Sequence, residues 1–178
     1  MYQLVRIAVF ACALTALATP SFAQVSLKEE MLKDWASLQN LITGLANEMP
    51  ADKYNAKPTE PQQTFGERVV HVAVVNNRFL GMVGGTAKAP ELDPKTAPLS
   101  KDAALKALTD SFAYGTALLN ELNDQTLLQA VASPPQFLGP STKARIFNFL
   151  NGHTWDTYGQ LVVYLRLNGG VPPASQRP

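Results

Sequence analysis

His71 and His153 are the only two imidazoles in a chain of 178 residues. His153 falls on the row Ile146, Phe149, Leu150, His153, Thr157, Gln160, Leu161 and Tyr164, whose steps of three and four trace one face of a helix. His71 sits in a second apolar segment, Val69 to Val75, among valines. An imidazole buried without a partner costs about 1–3 kcal/mol, so each ring must be bonded to something or open to a cavity. Two such exceptions on two segments point to a polar pocket inside a helical bundle, the place where facing helices commonly build metal sites. The chemistry would be coordination of a metal ion by ring nitrogens. The alternative is a pair of hydrogen-bonded histidines that only pack helices together, and residue types alone leave the two readings level.

The third ligand is the difficulty. Asp156, three residues beyond His153, could complete a two-histidine, one-carboxylate set, but it reads better as a solvated carboxylate on the rim. Thr157, four residues beyond, is where a second ligand on the same helix would sit, and a neutral hydroxyl binds metal poorly. If both rings hold one ion at about 2.0–2.1 Å, their nitrogens should lie within about 4 Å of each other, and a gap beyond about 7 Å would exclude a shared site. Other residues nearby read as structural. Gly159 is expected to let another helix approach, Tyr164 to send its hydroxyl toward the pocket, Arg166 and Asn168 to tie down the Pro-Pro tail, and Trp35 and Trp155 to pack.

The elements that must position these side chains follow from helix signals. Ser26-x-x-Glu29 has the form of a capping box and opens a helix carrying Leu27, Met31, Trp35, Leu38, Leu41, Ile42 and Leu45 up to Pro50. A proline-bearing loop, 51–63, follows. Thr64-x-x-Glu67 is a second capping box. The β-branched run after it would pass for a buried strand, but the box and the length favour a helix from Phe65 to about Val83. A connector rich in glycine and proline, 84–98, leads to a third helix that starts near Ser100, a plausible N-cap. A short helical piece spans about 124–131. Pro140-Ser141-Thr142 then begins a last long helix that stops at Gly169-Gly170.

Composition narrows the functional classes. Arg6, the apolar run 7–18 and the small residues of Ser21-Phe22-Ala23 have the form of a signal peptide cleaved after Ala23. That leaves a domain of residues 24–178, long enough for one real core. Removing 1–23 takes away Arg6 and the chain's single cysteine, Cys12, and leaves acidic and basic side chains in balance. Without cysteine the domain has no thiol nucleophile, thiolate metal site or disulfide. A neutral chain without a basic run does not fit a nucleic-acid partner. No second segment is apolar and long enough to span a bilayer. The expected address is periplasmic or secreted.

Several stretches together resemble the DinB superfamily, a group of bacterial four-helix bundles. They are Met49-Pro50-Ala-Asp-Lys-Tyr54 with Lys57-Pro58-Thr59, then Thr64-Phe65-Gly66-Glu67-Arg-Val-Val-His71, then the tail from His153 through Tyr158-Gly159-Gln160 and Tyr164-Leu-Arg-Leu-Asn-Gly169 to Val171-Pro172-Pro173-Ala174-Ser175. The resemblance implies an all-α, DinB-like four-helix bundle. It also implies a divalent metal held by three histidines, one on the second helix and two spaced i, i+4 on the fourth. By position these are His71, His153 and Thr157, so the chain departs from the pattern at the third. Two histidines and waters would hold zinc or nickel weakly, with Asp156 or a rotated Gln160 as substitutes; a degenerate site without metal is equally compatible. Some relatives are metal-dependent thiol transferases. The expectation is a divalent-metal-dependent enzyme, thiol transferase- or hydrolase-like, with a degenerate site. The alternative is a non-catalytic exported module that binds a small molecule in the bundle pocket or associates with a partner. A homodimer through the nearly all-apolar second helix is a further expectation.

Overall fold

The computed structural model describes residues 25–92 and 100–176. The expected leader, 1–23, lies outside the described residues. Among the described residues five helices occur: α1 (Leu27–Glu48), α2 (Phe65–Leu80), α3 (Lys101–Glu121), a single turn α4 (Asp124–Leu127) and α5 (Lys143–Leu167). Short 3-10 turns lie at Ala51–Lys53 and Pro173–Ser175. The four long helices form an all-α bundle in which α1 and α2 each pack against both α3 and α5. Among the described residues the only β pairing is a single bridge between Ala130 and Thr142. None of the described helices is long and apolar enough to cross a membrane.

Capping explains most of the helix boundaries. At α2 the Thr64 hydroxyl accepts from the Glu67 amide at 3.2 Å and the Glu67 carboxylate accepts from the Thr64 amide at 2.6 Å, so the reciprocal box forms. This helix ends at Leu80, one turn earlier than Val83, with Gly81 as its cap. Ser100 caps α3 through its hydroxyl, and Thr142 does the same for α5. The C-terminus of α5 is closed by a Schellman arrangement, with Gly170 N–H donating to Leu165 O at 2.9 Å and Gly169 N–H to Arg166 O at 3.1 Å. Gly169 takes φ +78°, a conformation that favours glycine. The box expected at Ser26 does not form. The Ser26 hydroxyl instead donates to Asp124 at 2.8 Å, and the Leu27 and Lys28 amides donate to the same carboxylate. These three bonds, first that of the Lys28 amide, hold the Asp124 carboxyl below its usual range. A carboxylate from 97 residues away thus caps α1 and ties α4 to it. The short helical piece is accordingly only one turn.

The core is centred on Trp35, whose buried indole N–H donates to Phe112 O at 3.0 Å. The ring packs on Phe112 of α3 and stands edge-on to Phe147 of α5. Gly115 lies beneath the indole, and a Cβ there would overlap the ring. The close helix approach expected at Gly159 is therefore found at Gly115, whereas a Cβ at Gly159 would meet nothing within 4 Å. Trp155, expected to pack, is 50% exposed. The Tyr164 hydroxyl donates to Gln63 O at 2.7 Å, so it clamps the α1–α2 loop to α5 rather than facing a pocket. Asn168 donates to Tyr164 O within its own helix and Arg166 is exposed, so neither ties down the tail. The tail is held instead by its 3-10 turn, with Pro173 set 3.6 Å from the position of a Cβ on Gly44.

The two glycines make opposite predictions. Gly115→Ala should lower stability by about 1–3 kcal/mol through overpacking, while Gly159→Ala should raise it by up to about 1 kcal/mol through helix propensity. Urea unfolding midpoints of the two variants measure both signs.

Candidate metal centre

His71 and His153 come from facing positions on α2 and α5, 82 residues apart, and their Nε2 atoms are 3.1 Å apart. The ring centroids are 5.1 Å apart with the planes tilted by 54°. Both side chains are half-buried rather than sealed in the core. Phe149 lies one turn before His153, its ring 6.3 Å from the imidazole. It is in turn packed against Phe79 of α2 and Phe137 of the 131–141 loop. That aromatic cluster forms one flank of the pair. On the other side Arg68, one turn before His71, exerts its charge on both rings, and its Nε is buried without a hydrogen-bond partner.

The electrostatics keep the pair neutral. Burial lowers the pKa of His71, and the Arg68 charge adds to it. Burial also lowers that of His153, with His71 and Arg68 pushing the same way and Asp156 opposing. The tautomers follow from partner counting. His153 Nδ1 is buried and has no partner, and a bare acceptor there is less costly than a stranded N–H. The His153 proton then sits on Nε2 and donates to His71 Nε2, so His71 carries its own proton on Nδ1.

The other candidate ligands stand apart from this contact. Thr157 is buried, at 1% exposure, but its hydroxyl donates to His153 O at 3.0 Å along the helix. Asp156 is exposed and accepts from Gln160 Nε2 at 2.8 Å, so the two side chains proposed as substitutes bond to each other. Among the described residues no group of three or more histidine, cysteine, aspartate or glutamate side chains could hold a metal. Two nitrogens bound to one ion at about 2.0–2.1 Å and about 90–110° would lie about 2.9–3.4 Å apart. The observed 3.1 Å therefore fits two adjacent positions of one coordination sphere. The histidine pair suits a divalent ion as half of a site, and the described residues supply no third ligand at the same point. Arg68 escaped the sequence reading, although its spacing of three residues from His71 puts it on the same helix face.

A half-buried pair held neutral links stability to pH. Both rings have folded pKa values below the ordinary 6.5, so below 6.5 the unfolded chain binds protons that the folded chain does not. Their contribution is whole above pH 6.5 and is lost as the pH falls from there through the depressed folded values. The urea midpoint should drop between pH 7 and pH 5, and His153→Gln should flatten that drop. An unchanged pH profile in the variant would show that the rings do not repel protonation.

Comparison with known proteins agrees with the fold. A crystal structure of a DinB-like protein from Bacillus cereus ATCC 10987 superposes with a TM-score of 0.73 at 17% identity, covering 83% of this chain and 96% of that one. A second DinB-like protein, from Bacillus subtilis, superposes with a TM-score of 0.60 at 20% identity, covering 83% of this chain and 99% of that one. No curated protein sequence matches the chain. The sequence model of the DinB superfamily matches residues 34–161, a span that includes both histidines and all four long helices in whole or in part. The chain belongs to the DinB superfamily.

Proposed function

We propose that this DinB-superfamily bundle is a divalent-metal-dependent enzyme with a reduced ligand set, in which His71 and His153 hold zinc or nickel. The observation that carries the reading is the 3.1 Å separation of two Nε2 atoms brought together from different helices. A divalent ion at that point would supply Lewis acidity, lowering the pKa of a thiol or a water molecule at an open position. Thiol-transfer and hydrolytic chemistry both fall within that scope. The chain's own residues do the rest. Phe149 and its aromatic neighbours keep water from one flank, and Arg68 offers a positive charge to an anionic substrate group beside the rings. With two protein ligands the affinity is weak, and occupancy depends on the metal available. The leader-like sequence of residues 1–23 supports a periplasmic or secreted setting, with a small molecule as substrate, and half-buried residues such as Val74 and Val75 of α2 support association of two chains.

A second reading has its own support. Metal-bound histidines ordinarily donate their other ring N–H to an orienting carbonyl or carboxylate, and His153 Nδ1 has no such partner. On this reading the pair is a hydrogen-bonded remnant, and the protein is a non-catalytic exported module that binds a small ligand or a partner.

Metal analysis of the purified chain after reconstitution separates the two. The enzyme reading expects about one zinc or nickel ion per chain, a melting temperature that rises with metal, and loss of both effects in His71→Ala. Restoring the family's third ligand by Thr157→His should tighten metal binding by about tenfold or more, since even orienting partners act on that scale. Absence of metal in the parent and in Thr157→His, with both folded, leaves the second reading.

A further inference from the structure

A different face of α5 carries a second candidate site. Asn148, Asn151, Gly152 and Trp155 repeat at intervals of three and four along the helix, and they face Asp34 and Ser37 of α1 across a cavity of about 430 Å³. Toward the start of α1 a second cavity of about 500 Å³ shares Asp34, Asn148 and Asn151 with the first. The two form one groove along the α1–α5 seam. His71 and His153 line neither cavity.

The chemistry of the walls is specific. Trp155 is 50% exposed, and Tyr158 stands edge-on to it at 5.7 Å and 83°, which steadies a large aromatic face in contact with water. A Cβ on Gly152 would meet nothing within 4 Å, so the floor beside the indole is open. Two asparagine amides, each donor and acceptor at once, lie along the same wall as the indole, and the acceptor carboxylate of Asp34 lies across from it. The Asn151 Oδ1 is buried without a hydrogen-bond partner, just behind the wall common to both cavities. An apolar ligand would leave these amides unpaired, at about 1–3 kcal/mol for each group shut from water. An anionic ligand would meet two carboxylates, Asp34 and Glu30, against the single positive charge of Arg145. A ring with one C–H face and a rim of hydroxyls matches both halves: it stacks on the indole and exchanges paired hydrogen bonds with the amides.

We propose that the α1–α5 groove binds a carbohydrate chain, with Trp155 as the stacking platform and Asn148, Asn151 and Asp34 as hydroxyl partners. The inference is independent of the metal centre, and a failure of either leaves the other standing.

The chain has two tryptophans, and Trp35 is buried, so a change in fluorescence on adding sugar reports on Trp155. Titration of the full chain with chitotetraose and with cellotetraose should give a saturable change with at least one of them, with a dissociation constant of about 1 mM or tighter. Trp155→Ala should weaken binding at least tenfold by calorimetry, and Asn151→Ala several-fold, while the melting temperature and metal content stay those of the parent. No saturable signal with either sugar overturns the proposal, as does equal affinity in Trp155→Ala. A blue shift of Trp155 that grows with protein concentration alone, meaning that a second copy covers the groove, overturns it too.

Discussion

Three of the four long helices meet on one indole. Trp35 rests on Gly115, donates its N–H to Phe112 O at 3.0 Å and presses edge-on against Phe147. A ring of that size fits between α1 and α3 only where one of them lacks a side chain, so the register of the two helices is set within a residue. The contact with Phe147 then sets the rotation of α5 about its own axis. Once Ile146, Phe147 and Leu150 are buried, the helical repeat turns His153 toward α2 and Asn151 and Trp155 toward α1. The positions of both candidate sites on α5 follow from how that helix docks on the tryptophan.

The histidine contact is a compromise between closeness and charge. Two imidazoles at 3.1 Å cannot both be protonated, and the nearby Arg68 charge makes even one proton unfavourable. A neutral pair in that position is stable as a hydrogen bond, and it could offer two lone pairs to a cation only if the His153 proton moved from Nε2 to Nδ1. The same arginine opposes the cation. A metal bound there would be held by the geometry of two nitrogens, without the help of a negative side chain, since Asp156 is turned out to Gln160. Such a centre would be more readily emptied than one with three histidines, and would leave more positions open to a further ligand.

Much of the fold was legible because helix signals are local. Thr64, Ser100 and Thr142 cap as their sequence contexts imply, and Gly169-Gly170 ends α5 by a left-handed turn. The failures are cases where a distant residue decides the outcome. Ser26 has the capping pattern, yet Asp124 reaches across and takes the amides that Ser26 and Glu29 were expected to satisfy. Gly159 and Gly115 look alike within a helix, and only the three-dimensional path of Trp35 separates them. Val74 and Val75 belong to an apolar run that reads as uniform, but most of that run is spent against α3 and α5. At the candidate centre the convergence of the two imidazoles was legible because both break an apolar stripe. The polar face of Asn148, Asn151 and Trp155 was overlooked, since an exposed polar row on a helix has no signature until its opposite wall is known.

The central claim is that two imidazoles form a single centre for one ion. Nitrogen-15 NMR of the side chains tests it most directly, because with two histidines each ring nitrogen gives an assignable signal. Titration with zinc should move the Nε2 resonances of His71 and His153 together, in proportion, along one saturation curve that fits a single ion per chain. Shifts at different zinc concentrations, or at only one ring, or no shift while the protein stays folded, would contradict a shared centre.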